Sequence, residues 1–158
     1  MRVNKYCIDR WDKNKDRLQK RIENSTDHNS WDYRNLVKLI IEEVLNPDAE
    51  SDYDTWNSEE IAVIDNGDYQ GSQLFLFHRD TYQPSPADYL ITFEYYGSCS
   101  GCDTLMAIQD WSSECRLPSN TQVQDYMTLC LNLIQQMRFP YWERGWFDEQ
   151  DERKEIEL

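Results

Sequence analysis

Apolar residues recur at helical spacing in three places along this chain. Over 9–23, Trp11, Leu18 and Ile22 make a thin stripe, with Lys, Arg and Asp filling the other faces. A polar break follows at 24–30, and His28 within it is expected at the surface. Leu36, Val37, Ile40, Ile41, Val44 and Leu45 mark a second, core-facing helix over 31–45, with Ser30 as predicted N-cap and Asn46-Pro47 as its stop. A third opens at Pro118-Ser119-Asn120. Its core face is Val123, Met127, Cys130, Ile134 and Met137, and its outer face Gln122, Gln124, Asn132 and Gln135.

Between the second and third helices the period shortens. Two apolar runs, 61–64 and 74–77, bracket Asp65-Asn66-Gly67-Asp68 and a second glycine, Gly71, which predicts a β-hairpin. After Pro84 and Pro86, the β-branched and aromatic run 89–96 predicts a third strand. This strand is expected to be central, with the chain arranged around it. Residues 105–111 predict either a fourth strand or a short turn. The pattern is α+β: an antiparallel meander of three to four strands with helices packed on one face. The 158 residues are expected to form one domain, with 148–158 a frayed charged tail. Tyr141, Trp142, Trp146 and Phe147 precede that tail without periodicity.

Composition narrows the class. The chain is acidic, but 13% aromatic content argues for a folded protein instead of an acidic disordered one. No apolar run approaches the ~20 residues of a membrane span, and the first residues contain no segment of signal-peptide type. The expected compartment is the cytoplasm.

Net charge is −14, and it is unevenly placed. Residues 46–115 carry fourteen Asp and Glu against Arg79 alone, whereas 1–45 carry ten Lys and Arg against eight acids. Such a chain repels nucleic acid, whose binding needs phosphate neutralisation, and attracts basic surfaces. The densest acids, Asp48, Glu50, Asp52, Asp54, Glu59 and Glu60, with Asp65 and Asp68 in the next turn, are the predicted partner-binding residues. Asp48, Glu50, Asp52, Asp54 and Glu59 also fall at calcium-loop spacing. Tyr53 stands where such a loop needs glycine, so a solvated acidic segment is the better reading.

Candidate chemistry centres on the end of the third strand, Gly97-Ser98-Cys99-Ser100-Gly101-Cys102-Asp103. Its glycines permit positive φ and close backbone approach. Cys99 and Cys102 have the spacing of half a zinc site, with Cys115, His78 and Cys7 as candidate further ligands and zinc as the only cofactor implied. A redox pair is the other thiol reading, but Asp103 and the surrounding acids are expected to raise the thiol pKa. Both thiols are expected to be reduced and close in space. Cys130 is read as a small buried hydrophobe. His78 is expected to be a satisfied structural histidine, and turn formation explains Asp65 and Asp68 more simply than acid–base pairing does. There is no phosphate loop or nucleophile elbow. The chain does not read as an enzyme.

The strings Asp65-Asn66-Gly67-Asp68-Tyr69-Gln70-Gly71, Arg79-Asp80-Thr81-Tyr82-Gln83-Pro84-Ser85 and Asp125-Tyr126-Met127-Thr128-Leu129 accompany Tyr95-Tyr96-Gly97-Ser98-Cys99-Ser100-Gly101-Cys102-Asp103-Thr104-Leu105. Together they resemble an uncharacterised family of small acidic proteins from bacteria and tailed phages. The resemblance covers roughly 61–138 and implies a phage or prophage setting. The expected function is that of an acidic, non-enzymatic interaction protein. A phage-encoded inhibitor occupying a basic, nucleic-acid-binding surface of a host protein in the host cytoplasm fits that description. The alternative is a small metal- or thiol-dependent protein built on Cys99 and Cys102.

Overall fold

The computed structural model describes residues 5–110 and 116–140. Helix α1 spans Lys5–Glu23, one turn longer at its start than the apolar stripe predicts, because Cys7 extends the buried face of Trp11, Leu18 and Ile22. Asn14 is buried on the same face and donates from Nδ2 to the carbonyl of Val44 at 2.9 Å.

Helix α2, Tyr33–Ile40, continues into a single π-helical turn, Ile41–Leu45, before Pro47. Its N-cap is Asp32 instead of Ser30. The Asp32 carboxylate accepts from the Asn35 N–H, and the Asn35 side chain accepts from the Asp32 N–H, both at 2.8 Å. Ser30 closes a short 3₁₀ turn, donating to the carbonyl of Asp27. That turn folds His28 inward.

His28 is the clearest departure from the expected layout. It is 1% exposed, not a surface residue. Its Nδ1 lies 2.8 Å from the Tyr126 hydroxyl, and Trp31 and Tyr126 meet its ring edge-on. Of the polar neighbours that suggested exposure, Asn24, Ser25 and Ser30 donate to the backbone carbonyls of Lys20, Arg21 and Asp27. Gln109 donates from Nε2 to the carbonyls of His28 and Trp31.

The sheet is an antiparallel meander in the order β1 (Ala62–Asp65), β2 (Gly71–His78), β3 (Tyr89–Tyr96). The central strand is therefore β2, and β3 is an edge strand. Beyond β3, among the described residues, only a short bridge forms, in which Ile91 and Arg138 exchange backbone hydrogen bonds of 2.9 and 3.0 Å. The expected fourth strand is absent among the described residues. Residues 104–108 form a short helix, α3 (Thr104–Ile108), because Asp103 accepts from the Met106 N–H and caps it. Trp111 lies outside the described residues, as do the aromatics of 141–147 and the tail.

Pairing registers sort the strand side chains. Phe75, Phe77, Leu90 and Thr92 face inward and are fully buried. They meet α4, Asn120–Gln136, where the Thr92 hydroxyl donates to the carbonyl of Leu133 at 2.7 Å. Trp56 packs edge-on against Phe77. Helix α4 starts with a capping box between Ser119 and Gln122, and Val123, Met127, Cys130 and Ile134 lie on its buried face as predicted. The buried apolar side chains form one contiguous cluster. Among the described residues no helix is long and apolar enough to cross a membrane.

Burial holds the pKa of His28 below its usual 6.5, although the carbonyl of Arg116 and the charges of Asp27 and Asp110 oppose the shift. The unfolded chain then binds the proton more readily than the folded one. Stability is fully present above the unfolded value and is lost as pH falls through it toward the depressed folded one. Half-buried Glu94, pushed up by burial, slopes the other way. The difference between wild type and His28→Gln is thus the readout. Denaturant midpoints are expected to drop between about pH 7.5 and 5.5 in wild type more steeply than in the variant.

Candidate functional site

Three features meet at and around the sheet: a dithiol turn, a set of acids, and an apolar outer face. In the turn, the backbone leaves β3 at Tyr96 and is immediately pinned. The Gly97 N–H donates to Asp103 Oδ2 at 2.9 Å, and the N–H groups of Cys102 and Asp103 both donate to the carbonyl of Cys99. Asp103 Oδ1 accepts from the Tyr33 hydroxyl at 3.0 Å. Of the two glycines, only Gly97 is sterically required. A Cβ there would sit 2.4 Å from the Cys102 carbonyl oxygen and 2.7 Å from Cys102 Sγ, whereas one at Gly101 would make an ordinary 3.8 Å contact. Neither glycine adopts positive φ, so close approach, not left-handed backbone, explains Gly97.

Cys99 and Cys102 are both exposed free thiols with sulfurs 2.9 Å apart. Cys102 Sγ lies 3.1 Å from the Cys99 N–H and 3.8 Å from the Ser98 hydroxyl. Hydrogen bonding from the Cys99 side chain, then from the Cys99 backbone and Ser98, holds the Cys102 thiol below its usual pKa despite some desolvation. The expectation that acids would raise it fails because the Asp103 carboxylate is turned inward and spent on Gly97, Tyr33 and Met106.

The other proposed zinc ligands do not gather here. Cys7 is buried in α1, where desolvation pushes its thiol far up. His78 bonds through Nδ1 to the carbonyl of Arg79 at 2.7 Å and through Nε2 to Glu60 at 2.9 Å. Cys115 lies outside the described residues. Among the described residues, no group of three or more His, Cys, Asp or Glu is arranged to hold a metal ion.

The eight predicted binding acids separate into two sets. Asp48 turns into the fold, pairing with Lys13 at 2.9 Å and Arg10 at 3.5 Å and accepting from Asn14. Burial alone would raise its carboxyl, but Lys13, Asn14 and Arg10 together bring it below the usual range. Asp54 pairs with Arg79, Glu59 with Lys38, and Glu60 with His78. Asp65 accepts from the Tyr96 hydroxyl at 2.6 Å, then from the Gly67 N–H and Gln73, which lowers its pKa in that order. The second set is Glu50, Asp52 and Asp68. Their side chains are exposed and make no hydrogen bond or ion pair among the described residues.

The sheet's outer face is the feature that sequence reasoning missed. Cross-strand registers place Ala62, Leu76 and Ile91 in one row and Ile64, Leu74 and Phe93 in the next, followed by Ser72 and Tyr95. Among the described residues no helix covers them. Ile64 is 58% exposed, Phe93 38% and Tyr95 51%. A usable signal was present in 74–77 and 90–93, which are apolar at nearly every position. With helices on one face only, strict alternation would have sufficed to build the core.

No family model, curated protein or solved structure matches this chain.

Two outcomes are expected. Asp48→Lys should lower stability by about 2 kcal/mol or more, since it removes one of the two acceptors of the buried Asn14 amide and opposes two cations. The double change of Glu50 and Asp52 to Lys should leave the melting temperature nearly unchanged, because neither side chain has a partner to lose. Equal destabilisation in calorimetry would refute this division. Separately, a water-soluble alkylating agent should modify Cys99 and Cys102 in the native protein, and Cys7 and Cys130 only after unfolding, by peptide mass mapping.

Proposed function

We propose that this protein is a non-enzymatic binding protein that docks a basic, amphipathic segment of another protein on the outer face of its sheet. The observation that supports this reading most is the pair of cross-strand rows Ala62–Leu76–Ile91 and Ile64–Leu74–Phe93. They give a contiguous apolar surface on a sheet whose other face already builds the core. A monomeric surface usually scatters such residues singly.

Charge selects the partner's chemistry. Glu60 stands beside His78 at one end of the rows, and the 66–70 turn carries Asp68 at the other. The segment that builds the sheet holds a single cation, Arg79, and that side chain lies over the Trp56 ring, 4.5 Å from its centroid. An apolar centre with an anionic surround complements Leu or Phe flanked by Lys and Arg. Burial of the apolar rows supplies affinity, and the acids supply on-rate and register. Nucleic acid is disfavoured as a direct ligand by the same charge. In the phage setting that the resemblance implies, the partner is a host protein. Where its basic surface itself serves nucleic acid, the two compete.

The test uses a fluorescent amphipathic helical peptide with Lys and Arg on one face and Leu and Phe on the other. Binding is expected at low salt, with the on-rate falling steeply past ~0.15 M, where the Debye length is about 8 Å. Phe93→Ser and Ile64→Ser should each weaken binding about tenfold or more, with melting temperatures close to wild type. Changing Glu50, Asp52 and Asp68 together to Lys should slow association more than dissociation. Undiminished binding by the folded Phe93→Ser and Ile64→Ser variants would remove the outer face from the account.

A further inference from the structure

The two thiols of the 97–103 turn have a geometry that neither the core nor the outer sheet face requires. Both are exposed, so they contribute little to packing. Their sulfurs are 2.9 Å apart. Two thiolates on one tetrahedral zinc ion would stand roughly 3.8 Å apart, given Zn–S bonds of about 2.3 Å, whereas a covalent S–S bond is about 2.05 Å. The pair is thus closer than a shared metal ion would hold it, and roughly 1 Å from bond length. The turn that carries it is fixed at both ends. Gly97 and Asp103 are joined through the Asp103 carboxylate, which Tyr33 of α2 holds in place. No Cβ fits at Gly97 because Cys102 occupies that space.

We propose that Cys99 and Cys102 form a dithiol–disulfide exchange site that reacts with small disulfides. Cys102 is the attacking group. Its sulfur is the point on which the Cys99 N–H, the Cys99 thiol and the Ser98 hydroxyl converge, at 3.1, 2.9 and 3.8 Å. The lowered thiol pKa there agrees with that arrangement. The Cys102 thiolate attacks one sulfur of R–S–S–R, forming a Cys102–S–S–R mixed disulfide and releasing RS⁻. The Cys99 thiol gives its proton to the released RS⁻, directly or through solvent, and its sulfur attacks Cys102 Sγ. The Cys99–Cys102 bond forms as the mixed disulfide breaks, and the second RS⁻ leaves and is protonated from solvent. The two electrons lost by the cysteines reduce R–S–S–R to two thiols. The proton lost when Cys102 ionised balances the one taken up at the end. Because the sulfurs already face each other across a pinned turn, the second step needs little rearrangement, and the mixed disulfide should be short-lived.

The experiment uses the full chain carrying Cys115→Ser, so that only the pair and the two buried thiols Cys7 and Cys130 remain. Reduced protein is mixed with glutathione disulfide, quenched with acid and mapped by mass. The parent protein should lose two hydrogens on the peptide containing Cys99 and Cys102, without accumulating an adduct. With Cys99→Ser added, one glutathione should be trapped on Cys102. With Cys102→Ser instead, adduct formation on Cys99 should be roughly fivefold slower than on Cys102, since the favoured thiolate is gone. Circular dichroism checks that each variant is folded, and the parent protein's own product decides the matter if one is not. Stable adducts on both cysteines of the parent, or no reaction while Cys99 and Cys102 still alkylate, would overturn the exchange site. Equal rates in the two single variants would overturn the assignment of Cys102 as attacker. None of these readouts depends on binding at the outer sheet face.

Discussion

The Asp103 carboxylate is the point on which the end of β3, the thiol turn and α3 depend. It is 5% exposed, a depth at which an ionised carboxylate is tolerated only if donors surround it. Three do so. The Gly97 N–H fixes the exit of β3, the Met106 N–H fixes the start of α3, and the Tyr33 hydroxyl ties both to α2. Tyr33 also accepts from the Leu105 N–H at 3.2 Å, and burial, with the Asp103 charge beside it, keeps its phenol protonated. One side chain therefore sets the position of the last strand, the short helix after it and the thiol turn between them.

A second constraint is the matching of charge between parts of the chain. The cations of α1 and α2 do not face solvent alone. Arg10 and Lys13 meet Asp48, Arg17 and Arg21 meet Glu43, and Lys38 meets Glu59. Two of the acids after residue 46, Asp48 and Glu59, thus answer cations before it, whereas Arg17 and Arg21 are answered within the first 45 residues by Glu43; such pairs, where exposed, are individually weak. Most of the negative charge of 46–115 is left uncompensated by the basic helices. Glu50, Asp52 and Asp68 belong to it, and Asp68 lies in the turn at one end of the apolar outer face. The proposed binding surface is centred on the sheet because the apolar rows lie there, with Asp68 in the turn at their end.

Periodicity determined the three long helices, because amphipathic burial imposes a period that local sequence must carry, while turn residues between apolar runs gave the hairpin and β-branched and aromatic composition the third strand. It also placed Met127 and Cys130 inside and Cys99 close to Cys102, the latter because a three-residue separation in a turn leaves little freedom. Tertiary structure decided whatever depended on partners distant in sequence. His28 sits in a polar stretch, yet Tyr126, 98 residues away, buries it. Residues 104–108 carry strand-compatible side chains, yet the Asp103 cap winds them into a helix. Strand 89–96 has the most strand-like composition, yet it lies at the sheet edge, since strand order follows from pairing and not from propensity. The Asp103 charge was legible, but its direction was not. Whether a carboxylate raises a neighbouring thiol's pKa or is consumed by three donors depends on where its oxygens point, and that is fixed only when Tyr33, Gly97 and Met106 converge on it.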